Sequence, residues 1–76
     1  MAALTISKRK TKKIKEYYRD LTLVTEYKCF CKKGKIIEEN VQGFNDHIAY
    51  LECEECEKKY WEYLDFTPTE WIVDEL

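Results

Sequence analysis

Seventy-six residues with thirteen Lys/Arg, fifteen Asp/Glu and a net charge of -2 make one small domain. A chain of this length buries only a modest core and is marginal without a staple. No run of eighteen apolar residues is present, which excludes a spanning helix, and the lysine-rich stretch after Ile6 leaves no apolar secretory segment, so a cytoplasmic location is expected.

Residues 1–6 read as a loose terminus. From Ser7, a candidate N-cap, Ile14, Tyr17, Tyr18 and Leu21 fall at i, i+3, i+4 and i+7, which predicts a helix with one apolar face. Lys8, Lys12, Lys15 and Arg19 follow the same spacing on its other side, and Arg9, Lys10 and Lys13 broaden the charge. Residues 1–20 are therefore expected to form a basic N-terminal tail or helix, with residues 21–76 as a separate unit.

The stretch 21–29 is rich in β-branched and aromatic types and predicts a strand with Leu21, Leu23, Thr25, Tyr27 and Cys29 on one face. Gly34 is expected to supply a positive φ in the turn that follows. Lys35–Glu39 reads as the return strand, His47–Cys53 as a third and Lys58–Phe66 as a fourth. Thr67-Pro68-Thr69-Glu70 has the form of a capping box with proline at the first helical position, so a short C-terminal helix or turn carrying Trp71 is expected.

Four cysteines stand in two close pairs, Cys29-Phe30-Cys31 and Cys53-Glu54-Glu55-Cys56. Four thiolates suit tetrahedral Zn²⁺, and a shell filled entirely by protein leaves no open catalytic position. A structural Zn²⁺ supplies roughly 10–16 kcal/mol of apparent binding energy, so metal-dependent folding is expected. Two disulfides are the competing reading, needing an oxidising compartment and, for a Cys29–Cys31 bridge, a strained ring. Free or redox thiols are a third, and iron stands beside zinc as an occupant of a four-thiolate cage. His47, the only histidine, is more simply a surface side chain.

With these pairs in view, residues 21–66 resemble a zinc ribbon, carried by Cys29, Cys31, Gly34, Cys53 and Cys56. The segment 29–39 is similar to a first knuckle of small bacterial or phage-type ribbon proteins. The resemblance implies two β-hairpins whose tips grip one Zn²⁺, giving a small metal-stabilised α+β domain with a basic N-terminal helix and a short C-terminal helix or turn. The chain departs from the pattern in having one residue inside the first pair and Glu57 where a glycine often follows the second.

Charge divides along the chain. Residues 1–37 hold eleven bases against three acids, and residues 38–76 hold two bases against twelve acids. Such asymmetry points to a nucleic acid at the basic end, a basic protein surface at the acidic end, or simple attraction between the halves. The only serine is Ser7 and no phosphate-cradling glycine loop exists, so an enzyme is not expected.

Two binding readings follow. In the first, Glu54, Glu55 and Glu57 with Trp61 and Trp71 form an acidic, aromatic face for a protein partner, with Phe44 and Tyr63 as further anchors. Such a face suits a small phage-type inhibitor of a nucleic-acid enzyme, such as an anti-CRISPR protein, and its aromatics also permit a homodimer. In the second, Lys8, Arg9, Lys12, Lys15 and Arg19 contact the phosphates of a nucleic acid, although a sequence pI of about 5.4 weighs against that role.

Overall fold

In the computed structural model, which describes residues 3–43 and 46–76, the chain forms seven strands. They are β1 (Ala3–Ser7), β2 (Lys13–Arg19), β3 (Thr22–Lys28), β4 (Lys35–Val41), β5 (Asp46–Glu52), β6 (Tyr63–Phe66) and β7 (Glu70–Asp74). A 3-10 turn (Lys8–Lys10) follows β1, and a single helical turn, α1 (Glu54–Glu57), follows β5. The strands make one antiparallel sheet in the order β1-β7-β6-β5-β4-β3-β2. β2 to β7 run as a meander, and the chain crosses between β1 and β2 from one edge of the sheet to the other.

This corrects the expected zinc ribbon of two hairpins with terminal helices. The basic helix does not form: Lys13–Arg19 is an edge strand paired with β3, and only Lys8–Lys10 winds into a turn. A helix would stack Lys8, Lys12, Lys15 and Arg19 in one repelling stripe. The extended chain instead sets Lys13 on Glu16, Lys15 on Glu26 and Arg19 on Glu39, at 3.1, 3.6 and 3.4 Å. The tyrosines and isoleucine that mimicked a helical face are also good strand formers. Both described parts of the expected N-terminal unit are woven into the sheet, β1 beside β7 and β2 beside β3.

The C-terminal helix is absent as well. Thr67 Oγ does accept from the N–H groups of Thr69 and Glu70, at 3.3 and 3.0 Å, as a cap would. The Thr67 N–H also donates to the Glu70 carbonyl at 2.9 Å, which closes a tight turn into β7. From there Trp71 and Val73 alternate with Ile72 and Asp74, the period of a strand. The expected fourth strand is shorter than predicted, because residues 58–62 form a strap. Trp61 N–H donates to the Asp74 carbonyl and Leu76 N–H to that of Lys59, at 2.8 and 3.0 Å.

Register places Ile36, Ala49, Leu51, Leu64, Phe66, Trp71 and Val73 on one face with Leu4, Ile6 and Tyr27. The sheet curls around this face, so the indole of Trp71 on β7 meets Tyr27 on β3 edge-on at 5.2 Å. Trp71 is fully buried and its Nε1–H donates to Thr11 Oγ1 at 3.0 Å. Lys8 enters the same core rim. Its ammonium lies 4.4 Å from the Trp71 ring centroid and 4.7 Å from that of Phe66, and 3.3 Å from the Glu38 carboxylate. A cation over desolvated rings and beside a carboxylate is held by both attractions.

On the outer face Glu26 is buried between Lys15 and Lys35, the latter donating at 3.1 Å. Burial pushes its carboxyl up, but hydrogen bonds from Lys35 and Tyr17 and the two lysine charges outweigh this and hold it below the usual carboxylate range.

Candidate metal centre

The β3–β4 hairpin and the β5–α1 junction build the site from opposite sides. Residues 29–34 form a compact knuckle in which Cys29 N–H donates to the Gly34 carbonyl and Lys32 N–H to that of Cys29, at 2.9 and 2.8 Å. Lys32, not Gly34, takes the left-handed conformation, at φ 67°. Gly34 is required for a different reason. A Cβ there would collide with the Cβ of Cys53 and lie 2.7 Å from its sulfur. The missing side chain is what lets the two halves of the site close. Because αL strains any residue with a Cβ, Lys32→Gly is expected to stabilise the protein by roughly 0.5–1 kcal/mol, read as a rise in thermal midpoint.

On the other side, Cys53 precedes α1 and Cys56 lies within it. The Cys53 carbonyl accepts from Glu57 N–H at 2.9 Å, and that of Cys56 from Lys59 and Tyr60, at 3.0 and 2.8 Å. One helical turn thus aims two side chains three residues apart at the same point, which an extended Cys-x-x-Cys segment would not do.

The four sulfur atoms all lie within 4.8 Å of one another. Cys29 and Cys56 approach to 3.4 Å, and Cys31 and Cys53 to 3.3 Å. A tetrahedral ion with metal–sulfur bonds of about 2.3 Å places its ligands about 3.8 Å apart, within the span observed. Cys29, Cys53 and Cys56 are buried, and Cys31 is half-buried. These four cysteines, brought together as the sequence predicts, can hold a metal ion.

Their protonation follows their surroundings. Burial pushes the Cys29 thiol up to about 11 and the Cys56 thiol higher still, because a thiolate is costly in a dry site. At Cys31 burial also acts upward, but the Lys33 backbone N–H and the neighbouring thiols stabilise the thiolate and bring it down to about 7. A cation among the four sulfurs would reverse the burial penalty, since metal-bound thiols ionise. Lys33 and Lys59 flank Cys31 in a cleft of about 380 Å³, facing Phe30, Tyr60 and Glu55. Their charges would partly offset the excess negative charge of a four-thiolate shell around a bound ion.

The other predicted residues are less concentrated. Glu54, Glu55 and Glu57 are exposed on α1. Trp61 is 55% exposed and lines a mostly apolar cleft of about 490 Å³ with Asp74, Glu75 and Leu76. Trp71 is no surface anchor: it is the centre of the core, so its place in the protein-binding set is corrected. Phe44 lies outside the described residues. Tyr63 is exposed on β6.

Of the basic set, Lys8 is turned into the core rim and held by Glu38, which corrects its expected place on an exposed stripe. Lys15 and Arg19 are exposed on β2 but paired with Glu26 and Glu39, while Arg9 and Lys12 are exposed on and after the 3-10 turn. The stripe of helical spacing does not exist as a surface. Leu76 beside Trp61 carries no binding signal in the sequence, whereas Asp74 and Glu75 belong to the acidic run expected to face a partner. Nothing local announces the strap that brings them together. Among the described residues no helix is long and apolar enough to cross a membrane.

No protein-family model matches the chain, and no curated protein or solved structure does.

Proposed function

We propose that the chain is a non-catalytic, zinc-stabilised interaction module that binds a basic protein surface through the acidic, aromatic side of its second half. Zinc is preferred to iron because four cysteines in a small non-redox fold match its structural sites. The observation that carries the reading is Trp61, more than half exposed beside Leu76 and the carboxylates of Asp74 and Glu75. A large indole held out of a core that had room for Trp71 is the kind of anchor interfaces use. Glu54, Glu55, Glu57 and Glu62 extend negative charge along the adjoining segment. That combination favours a partner presenting arginine or lysine around an apolar contact, and it is what an inhibitor occupying the groove of a nucleic-acid enzyme would display.

The alternative is nucleic-acid binding through Arg9, Lys12, Lys15 and Arg19. It is weaker because two of these charges already face carboxylates.

An oligoarginine peptide and a duplex oligonucleotide distinguish the two. Under the first reading the peptide alters the fluorescence of Trp61, and Glu54→Lys, Glu55→Lys and Glu57→Lys together weaken its binding by about tenfold or more. Trp61→Ala removes the fluorescence response while leaving binding of the duplex weak. Tight, salt-sensitive duplex binding abolished by Arg9→Ala and Lys12→Ala would instead establish the second reading.

A further inference from the structure

We infer that β1 is a docking edge for a second copy of this chain, pairing antiparallel about a two-fold axis at Thr5. β1 and β2 are the two outer strands of the sheet, each hydrogen-bonded to a neighbour on one side. They differ in how that open edge is treated. β2 carries Lys13, Lys15, Glu16 and Arg19 in seven residues and is interrupted by a register shift between Lys13 and Lys15. Charges and a bulge are the means by which proteins keep an edge from recruiting another strand. β1 reads Ala-Leu-Thr-Ile-Ser, with no charge, no proline and continuous register against β7. Nothing in it discourages a further strand.

The side chains identify the occupant. Taken about Thr5, the strand runs small, large, threonine, large, small. An antiparallel copy sets Ala3 opposite the partner's Ser7, Leu4 opposite the partner's Ile6 and Thr5 opposite the partner's Thr5. That is the self-complementary pattern an isologous two-fold contact requires. Leu4 and Ile6 are half-buried and pack at the rim of the core. The pairing would join the two inner faces through these residues and cover their remaining exposed surface. The same operation on β2 would set Lys13 opposite the partner's Arg19, a repulsive pair. Pairing β1 with a neighbour's β2 would leave open edges and build a filament rather than a closed dimer. A net charge of -2 per copy opposes association only weakly.

Five residues make a short interface, below the roughly 1,200–2,000 Å² of stable complexes, so the dimer is weak and concentration-dependent. One end of β1 borders the Trp61 surface, where Ala3 pairs with Asp74, but Thr5 at the axis lies opposite Ile72, so a change at Thr5 tests the dimer apart from oligoarginine binding. The test is sedimentation velocity of the metal-loaded full chain over a rising concentration series. The wild type is expected to shift from monomer to dimer. Thr5→Lys, at an exposed position, places two ammonium groups face to face across the axis and should raise the dimer dissociation constant at least tenfold. Its far-UV spectrum, metal content and oligoarginine binding should be unchanged. Tyr18→Lys, exposed on β2, should dimerise like the wild type. A wild type that stays monomeric throughout, or a folded Thr5→Lys variant that still dimerises, overturns the inference. Should Thr5→Lys fail to fold, hydrogen exchange of the wild type decides: β1 amides gain protection with concentration if the inference holds, and show no change if it does not.

Discussion

Cys56→Ser is expected to leave the chain metal-free and without a cooperative thermal transition under conditions where the wild type is folded. Cys56 is buried and contributes one of four mutually adjacent sulfurs. The cysteines are also part of the core: Cys29, Cys53 and Cys56 pack in the same cluster as Ile36, Leu51 and Trp71. A serine oxygen is a poorer ligand, and in a dry pocket it lacks a partner as well. A structural four-thiolate zinc supplies roughly 10–16 kcal/mol of apparent binding energy at neutral pH. The whole stability of a small domain is about 5–15 kcal/mol. Losing most of the metal term is therefore enough to unfold this one. Circular dichroism with metal analysis on the purified variant checks the result. A Cys56→Ser protein that melts cooperatively within a few degrees of the wild type would show that the sulfurs do not act through a shared ion.

Gly34→Ala is also expected to destabilise the fold and weaken the site, although alanine is chemically innocuous and Gly34 has no positive φ to protect. The added methyl group would occupy the space of the Cys53 side chain and approach its Cα to 2.6 Å. Backbone and a metal ligand cannot both step aside, so the hairpin tip must separate from α1. Overpacking alone costs about 1–3 kcal/mol. Here the separation also pulls Cys29 and Cys31 away from Cys53 and Cys56, so metal affinity should fall at least tenfold, measured by competition with a chromophoric chelator. An alanine variant that binds metal as tightly as the wild type would mean that the two halves of the site are not in van der Waals contact. Lys32→Gly is the matched control: it changes the same turn and should do no harm.

The cysteine cluster was legible in the sequence because ligand chemistry is local. Two short cysteine pairs and the strands between them suffice to place the thiolates, and β3, β4 and β5 form where their composition indicates. The sheet was not legible because its ends are decided by distant partners. Lys13–Arg19 has a helical spacing of apolar residues, yet its backbone is claimed by β3. Thr67-Pro68-Thr69-Glu70 carries genuine cap chemistry, and Thr67 makes the capping bonds, but Phe66 and Trp71 then pair across the turn and commit it to a hairpin. The β-branched run in β7 was the signal that outweighed the proline. The burial of Trp71, expected as a surface anchor, is hidden from the sequence for the same reason. Its burial depends on Tyr27 and Thr11, forty-four and sixty residues earlier in the chain. The charge division found a partial resolution inside the fold, where Lys8 meets Glu38 and Arg19 meets Glu39 across the two halves.

Native mass spectrometry of the purified chain before and after chelator, with far-UV circular dichroism on the same samples, tests the role of the four cysteines most directly. One metal ion per chain is expected, with four thiols that become alkylated only after the metal is removed, and loss of the sheet signal on chelation with recovery on adding Zn²⁺. A metal-free protein that keeps its full spectrum in chelator and reductant would contradict that role.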